Sequence, residues 1–277
     1  MTLEITKEKF ERYVPVATSP NDRVFNMVAG RFDEATAEVE CVYLGKELAE
    51  KIDENALLKE IVVRYVCKRA FLDSMASLDV TLTATGFGVV SNQQLTPASR
   101  QRVEAVKAET EEGIWRTGSD MLGELVWCEG WYRTQQARSL IKSPIYSPHV
   151  LLRSCGIKVE TSGEWKQTAK TVSDATAELI RRMGKKTMDM LLDMARQGDT
   201  LRTPYEDYDE LLGLSRKYIA AAIEGQDKKQ RQTLADIIET LDGDLETFRY
   251  YKDSKAYNVN HAETFENDHE SPASVFC

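Results

Sequence analysis

The sequence predicts a mainly α-helical protein: a multi-helix bundle made of two related helical units, with a small β-hairpin or tongue set between helices. Three observations carry this. Apolar residues recur at spacings of three and four through most of the chain, as one face of a helix requires. A single run, Val80-Thr-Leu-Thr-Ala-Thr, alternates at period two, the period of a strand. A block of eight residues, 32–39, is matched 140 positions later, with four consecutive residues identical.

The first unit is placed at 1–143. Thr6 precedes a short helix through Glu11, and Pro15 keeps Val14 extended. Ser19-Pro20 starts a longer helix by the cap-then-proline rule. Its stripe is Phe25, Val28, Phe32, Ala35, Val39 and Val42. A short continuation follows Gly45, and Leu57–Leu78 is apolar nearly all round, so it is expected to be the most buried helix of this half. The tongue is placed at 80–92, with Gly86 and Gly88 flanking Phe87 to permit a tight turn. Thr96-Pro97 then opens a long helix over 97–139, in which Gly113, Gly118, Gly123 and Gly130 are candidate kinks. Trp115, Trp127 and Trp131 on it are expected to anchor a core or an interface.

Ser143-Pro-Ile-Tyr-Ser-Pro148 marks the boundary to a second unit at 144–250. Residues 149–160 read as partly strand-like. Helices resume from Trp165, with a stripe at Val172, Ala175, Leu179 and Met183. The remainder, 251–277, reads as an extended polar tail with an apolar tip, Val275-Phe276-Cys277. Phe32-Asp-Glu-Ala-Thr-Ala-Glu-Val39 matches Val172-Ser-Asp-Ala-Thr-Ala-Glu-Leu179, and each block leads to a Gly-Lys pair, at Gly45 and Gly184. The matching blocks predict a duplication, with 149–160 as the reduced counterpart of the tongue.

Net charge is −9 and pI about 5.1, which argues against general affinity for nucleic acid or anionic membrane. Five cysteines without a CxxC spacing predict reduced thiols rather than a disulfide framework or a zinc site. Nothing near the N-terminus has an apolar signal core, and no apolar run approaches a membrane span. His261 and His269 match no metal-ligand spacing. His149 and Cys155 lack a group to orient a base. Gly86-Phe-Gly-Val-Val-Ser91 lacks the third glycine and βαβ setting of a dinucleotide loop. No catalytic, cofactor or metal site is therefore predicted, and an enzyme is not expected. The basic residues Arg181, Arg182, Lys185 and Lys186 are candidates for contact with phosphate or an acidic partner.

Leu78-Asp-Val-Thr-Leu-Thr, Gly86-Phe-Gly-Val-Val-Ser-Asn92 and Pro97-Ala-Ser-Arg-Gln-Arg-Val103 together resemble a signature of uncharacterised phage and prophage proteins of Bacteroidetes, encoded among virion structural genes. Residues 5–80 are similar, more loosely, to the helical head–tail adaptor proteins of tailed phages. The resemblance implies a non-enzymatic connector in the virion neck, assembled in the bacterial host cytoplasm as a homo-oligomeric ring between portal and tail proteins. DNA would pass through its lumen, and it would use no cofactor and no membrane. Subunit or partner contact is then expected at Val80, Leu82, Gly86, Phe87, Gly88, Val89 and Val90 of the tongue and at Val275 and Phe276 of the tail. The alternative is a helical phage regulatory or nucleic-acid-associated protein using the basic residues above.

Overall fold

The computed structural model describes residues 1–19, 22–78, 100–198 and 208–262, together with the backbone of 80–83 and 86–89. The protein is mainly helical. Thr6 accepts the Lys9 N–H and starts α1, Lys7–Tyr13. The predicted helix through Val42 is instead divided into α2, Arg23–Ala29, and α3, Phe32–Val39. Gly30 and Arg31 form the break, and the bend brings Phe25 and Phe32 to 5.9 and 6.2 Å from the Phe10 ring. A π-helical turn, Glu40–Leu44, follows and closes with Gly45 N–H donating to the Glu40 carbonyl. The extra residue in that turn rotates the stripe. Val42, expected inside, is 41% exposed, and Leu44 takes its place in the core.

Helix α4, Lys46–Glu50, leads through a 3-10 turn at Ile52–Glu54 to α5, Ala56–Leu78. Leu58, Val62, Val66 and Ala70 of α5 are fully buried, the leucine and valines contributing about 1.5–3 kcal/mol each. The backbones of β1, Val80–Thr83, and β2, Gly86–Val89, pair antiparallel, with Val80 opposite Val89 and Thr83 opposite Gly86. Ala84, Thr85 and Val90–Asn92 of the predicted tongue lie outside the described residues.

Helix α6 spans Arg100–Leu125 and does not run on to 139. Gly113, Gly118 and Gly123 lie within it unbroken. The break falls at Gly130, at φ +79°, after which Trp131–Arg133 forms a 3-10 turn and Thr134 caps α7, Gln135–Leu140. The strand-like reading of 149–160 is overturned: α8 occupies Pro148–Cys155, capped by Ser147 with Pro148 at its first position. A capping box at Thr161 and Glu164 starts α9, Ser162–Met183. Then come α10, Lys185–Arg196, α11, Tyr208–Ile223, and α12, Asp227–Gly243. The extended-tail reading begins too early. Residues 249–260 form α13, Arg249–Lys252, and α14, Lys255–Asn260, which bury Tyr251 and Ala256 in the second core. Val275 and Phe276 lie outside the described residues.

Several features of the first half find a counterpart, in the same order, in the second. Thr6 and Ser147 cap α1 and α8, and Phe10 and Leu151 are their fully buried residues. Ala35, Thr36 and Val39 of α3 are buried, as are Ala175, Thr176 and Leu179 of α9. The matched blocks stand 140 residues apart, yet Gly45 and Gly184 stand 139 apart. The π turn, which has no counterpart in α9, absorbs that one residue. Both glycines adopt one backbone conformation, φ 75°, ψ 163° and φ 84°, ψ 151°. Tyr65-Val66 of α5 answers to Tyr218-Ile219 of α11, all buried. Thr117, Met121 and Leu125 of α6 answer to Thr233, Ile237 and Leu241 of α12. Finally, the Tyr43 carbonyl accepts the Trp131 indole N–H, and the Arg182 carbonyl accepts the Asn260 amide. In this order the counterpart of the stretch carrying β1 and β2 is not 149–160. It is Glu224–Gln226, a tight turn joining α11 to α12 in which Gln226 N–H donates to the Ala221 carbonyl.

The halves have separate cores, which meet at Ala195 of α10, packed into the first. The segment joining them is pinned to the second half. Arg196 donates to the Ile141 carbonyl at 3.0 Å, and Arg216 to the Pro144 carbonyl at 3.1 Å. The Ser143 and Thr176 hydroxyls share a hydrogen bond at 2.8 Å.

Candidate functional site

The paired helices α5 and α6 carry the features of the first half that its core does not require. They are antiparallel: Arg64 of α5 pairs with Asp120 of α6 at 2.7 Å, and one turn on Lys68 reaches Gly113 and Thr117. Beyond their ends lie β1 and β2. Among the described residues these strands form a two-stranded sheet, so neither has a second neighbour. Each keeps one row of backbone N–H and C=O groups outside the ladder. Of the predicted contact residues, Val80, Leu82, Gly86, Phe87, Gly88 and Val89 lie in the ladder, described as backbone only. Val90 lies outside the described residues.

A groove that sequence reading missed lies along the same helix pair. It encloses about 550 Å³ between the N-terminal segment at Val14–Val16, α5 and α6. Its cations are Arg64, Lys68 and Arg116, and its carboxylates are Glu109, Glu112 and Asp120. Most of these are matched. Asp120 holds Arg64, and Glu112 lies 3.5 Å from Arg116 while also accepting the Ser162 N–H at 3.0 Å. Burial, together with the guanidiniums of Arg64 and Arg116, pushes the Lys68 ammonium below its ordinary pKa, against a partial offset from Asp120. Past Arg116 and Asp120 the groove continues into a cavity of about 450 Å³ between the halves, lined by Trp115, His149, Leu152 and Lys158. His149 Nε2 lies 3.7 Å from Asp120 there. The residues are far apart in sequence and sit among ordinary helical charges. The one local signal was Gly113, a glycine inside a helix where alanine is favoured by about 1 kcal/mol.

The predicted basic cluster sits at the junction of α9 and α10. Arg181 and Arg182 both pair with Glu178, at 2.5 and 2.9 Å. Lys186 lies over the Tyr250 ring, 5.6 Å from its centre, and Lys185 is exposed. The shared carboxylate offsets much of the field that would attract phosphate.

Burial raises the thiol pKa of Cys67 to about 12 and those of Cys128 and Cys155 in the same direction. These groups stay protonated at neutral pH and are poor nucleophiles. Cys155 donates to the Arg216 carbonyl while His149 faces Asp120, so the two are turned to different partners. Among the described residues no group of three or more His, Cys, Asp or Glu side chains is placed to hold a metal ion. No helix among them is long and apolar enough to cross a membrane.

Residues 31–125 match the model of a family of unknown function, DUF6712. The match begins just before α3 and ends with α6, so it takes in β1, β2 and the floor of the groove. No curated protein and no solved structure matches the chain.

Proposed function

We propose that this protein is a non-enzymatic structural subunit of a tailed-phage neck. In this reading it is a head–tail connector that forms a homo-oligomeric ring between portal and tail proteins. The stretch between α5 and α6 acts as a tongue that reaches a neighbouring subunit. One observation carries the reading. The three residues Glu224–Gln226 suffice to join α11 to α12, whereas the equivalent pair α5 and α6 is joined by the whole of 79–99. That stretch is not needed to close the helix pair, and among the described residues its two strands each have an unpaired edge. An isolated two-stranded hairpin is marginally stable in water, and adding a strand or a neighbour's surface stabilises it. The resemblance of its residues to phage virion proteins points the same way, and the family match includes it. The net charge of −9 suits a lumen through which DNA passes without being held. In this reading the protein acts in the virion and assembles in the cytoplasm of the bacterial host.

The test replaces 79–99 with Glu-Gly-Gln, the turn found at 224–226. Native mass spectrometry and light scattering compare the two chains, alone and with the portal protein from the same genome. The full chain is expected to assemble, and the shortened chain to remain a folded monomer. A full chain that stays monomeric with portal present, or a shortened chain that assembles equally well, sinks the proposal.

A further inference from the structure

In the groove on α5 and α6 each guanidinium is in an ion pair with a carboxylate, whereas Lys68 feels Asp120 only at longer range, an attraction it shares with Arg64. No carboxylate of the described residues lies within ion-pair distance of its ammonium. Its acceptors are the Gly113 carbonyl and the Thr117 hydroxyl, both neutral and both at 3.4 Å. The seat is specific. A Cβ on Gly113 would stand 3.2 Å from Lys68 Nζ and 3.5 Å from both Cδ and Cε, so the absent side chain is what lets the lysine lie across α6. Val14, Pro15 and Val106 line the same groove, and Lys68 is itself half-buried, which strengthens any charge interaction there. The carboxylates facing the groove do not supply the missing partner. Asp120 is taken by Arg64, Glu112 by Arg116 and the Ser162 N–H, and Glu109 is exposed.

We propose that this groove is an oxyanion site, in which a phosphate or carboxylate group binds the Lys68 ammonium with Arg116 beside it. The site stands independently of the connector reading, since it needs only the α5–α6 pair. Arg64 is held by Asp120 and contributes through its field. Binding relieves the mutual repulsion of three cations and restores the ammonium toward its ordinary pKa.

The test is NMR of the full chain labelled at the lysine ε-methylene carbons, titrated with inorganic phosphate and with acetate against chloride at matched ionic strength. One lysine resonance is expected to shift saturably with phosphate or acetate, and its own titration midpoint to rise. Lys68→Met removes that resonance while circular dichroism stays unchanged. Gly113→Ala keeps the charge but crowds Nζ, and should weaken the saturable response. A stronger response to phosphate identifies a phosphate-bearing ligand, and one to acetate a carboxylate side chain. A response that chloride reproduces, or one that survives Lys68→Met, overturns the site.

Discussion

Replacing Gly184 with alanine tests the equivalence of the two halves, on which the comparison of 79–99 with 224–226 depends. At φ 84° and ψ 151° the residue sits in a region open almost only to glycine, and an L side chain there costs about 1–3 kcal/mol. The added Cβ would also stand 2.9 Å from Ser254 Cβ and 3.0 Å from its Oγ. Ser254 cannot simply move away, because its hydroxyl caps α14 by accepting the Tyr257 N–H, and losing such a cap costs about 1 kcal/mol. The expected loss is about 2–4 kcal/mol. Gly45→Ala meets the same backbone strain, but its Cβ would press on Gln136 Oε1, the far end of a long, half-exposed side chain whose Nε2 donates to the Cys41 carbonyl. Its loss should be smaller, about 1–3 kcal/mol. Urea unfolding followed by far-UV circular dichroism reads both. With a slope of roughly 2–3 kcal/mol per molar urea, Gly184→Ala should lower the midpoint by about 1 M. A Gly184→Ala chain within about 0.5 kcal/mol of the parent would refute the reasoning. So would a larger loss at Gly45.

Two further outcomes follow from buried groups. Arg196→Met removes the hydrogen bond to the Ile141 carbonyl and the 2.7 Å pair with Asp193, and should cost about 1–3 kcal/mol. It should also speed proteolysis within 141–147, and unchanged cleavage there would show that Arg196 does not pin the join. Stability should fall as pH rises from 9 toward 12. Below 9 both states keep the Cys67 proton. Above it the unfolded chain ionises while burial holds the folded thiol protonated to about 12, so the folded state binds more protons and loses roughly 1.4 kcal/mol of stability per pH unit. Tyr65, also raised by burial, adds a slope of the same sign above its ordinary value near 10. Cys67→Ala should reduce the slope between pH 9 and 10, and an unchanged slope would rule out Cys67 as its source.

Much of the fold was legible because helices declare themselves by local periodicity. Leu57–Leu78 was readable as the buried helix since apolar residues surround it, and α5 is the helix on which the first core is built. The stripe Val172, Ala175, Leu179, Met183 is the buried face of α9. Misreadings came where a short signal competed with a longer one. Val150-Leu-Leu looks like a strand, but Ser147-Pro148 is a cap followed by proline, and that pair starts α8. The stripe through Val42 was continuous in sequence. One extra residue, taken up as a π turn, moved Val42 outward and Leu44 inward, and no local pattern announces such a turn. Tyr251 and Ala256 sit in a polar stretch with no stripe, and they are buried because α9 and α10 present a surface for them.

The sequence by itself determined the helical class, the placement of the buried helix α5 and of the stripe of α9, and the matching blocks that lead to Gly-Lys. These depend on residues within a few turns of one another. Tertiary structure supplied the correspondence of α5 and α6 with α11 and α12, on which the proposal for 79–99 rests. It also decided the charge balance of the groove. Lys68 looks like any surface lysine on a helix until α6 is laid against it. Only then do Gly113 and Thr117 seat its ammonium, Asp120 and Glu112 go to closer partners, and one half-buried cation is left without a direct ion pair. Pairing between side chains is set by distance in space, and neighbouring positions in the chain carry no record of it.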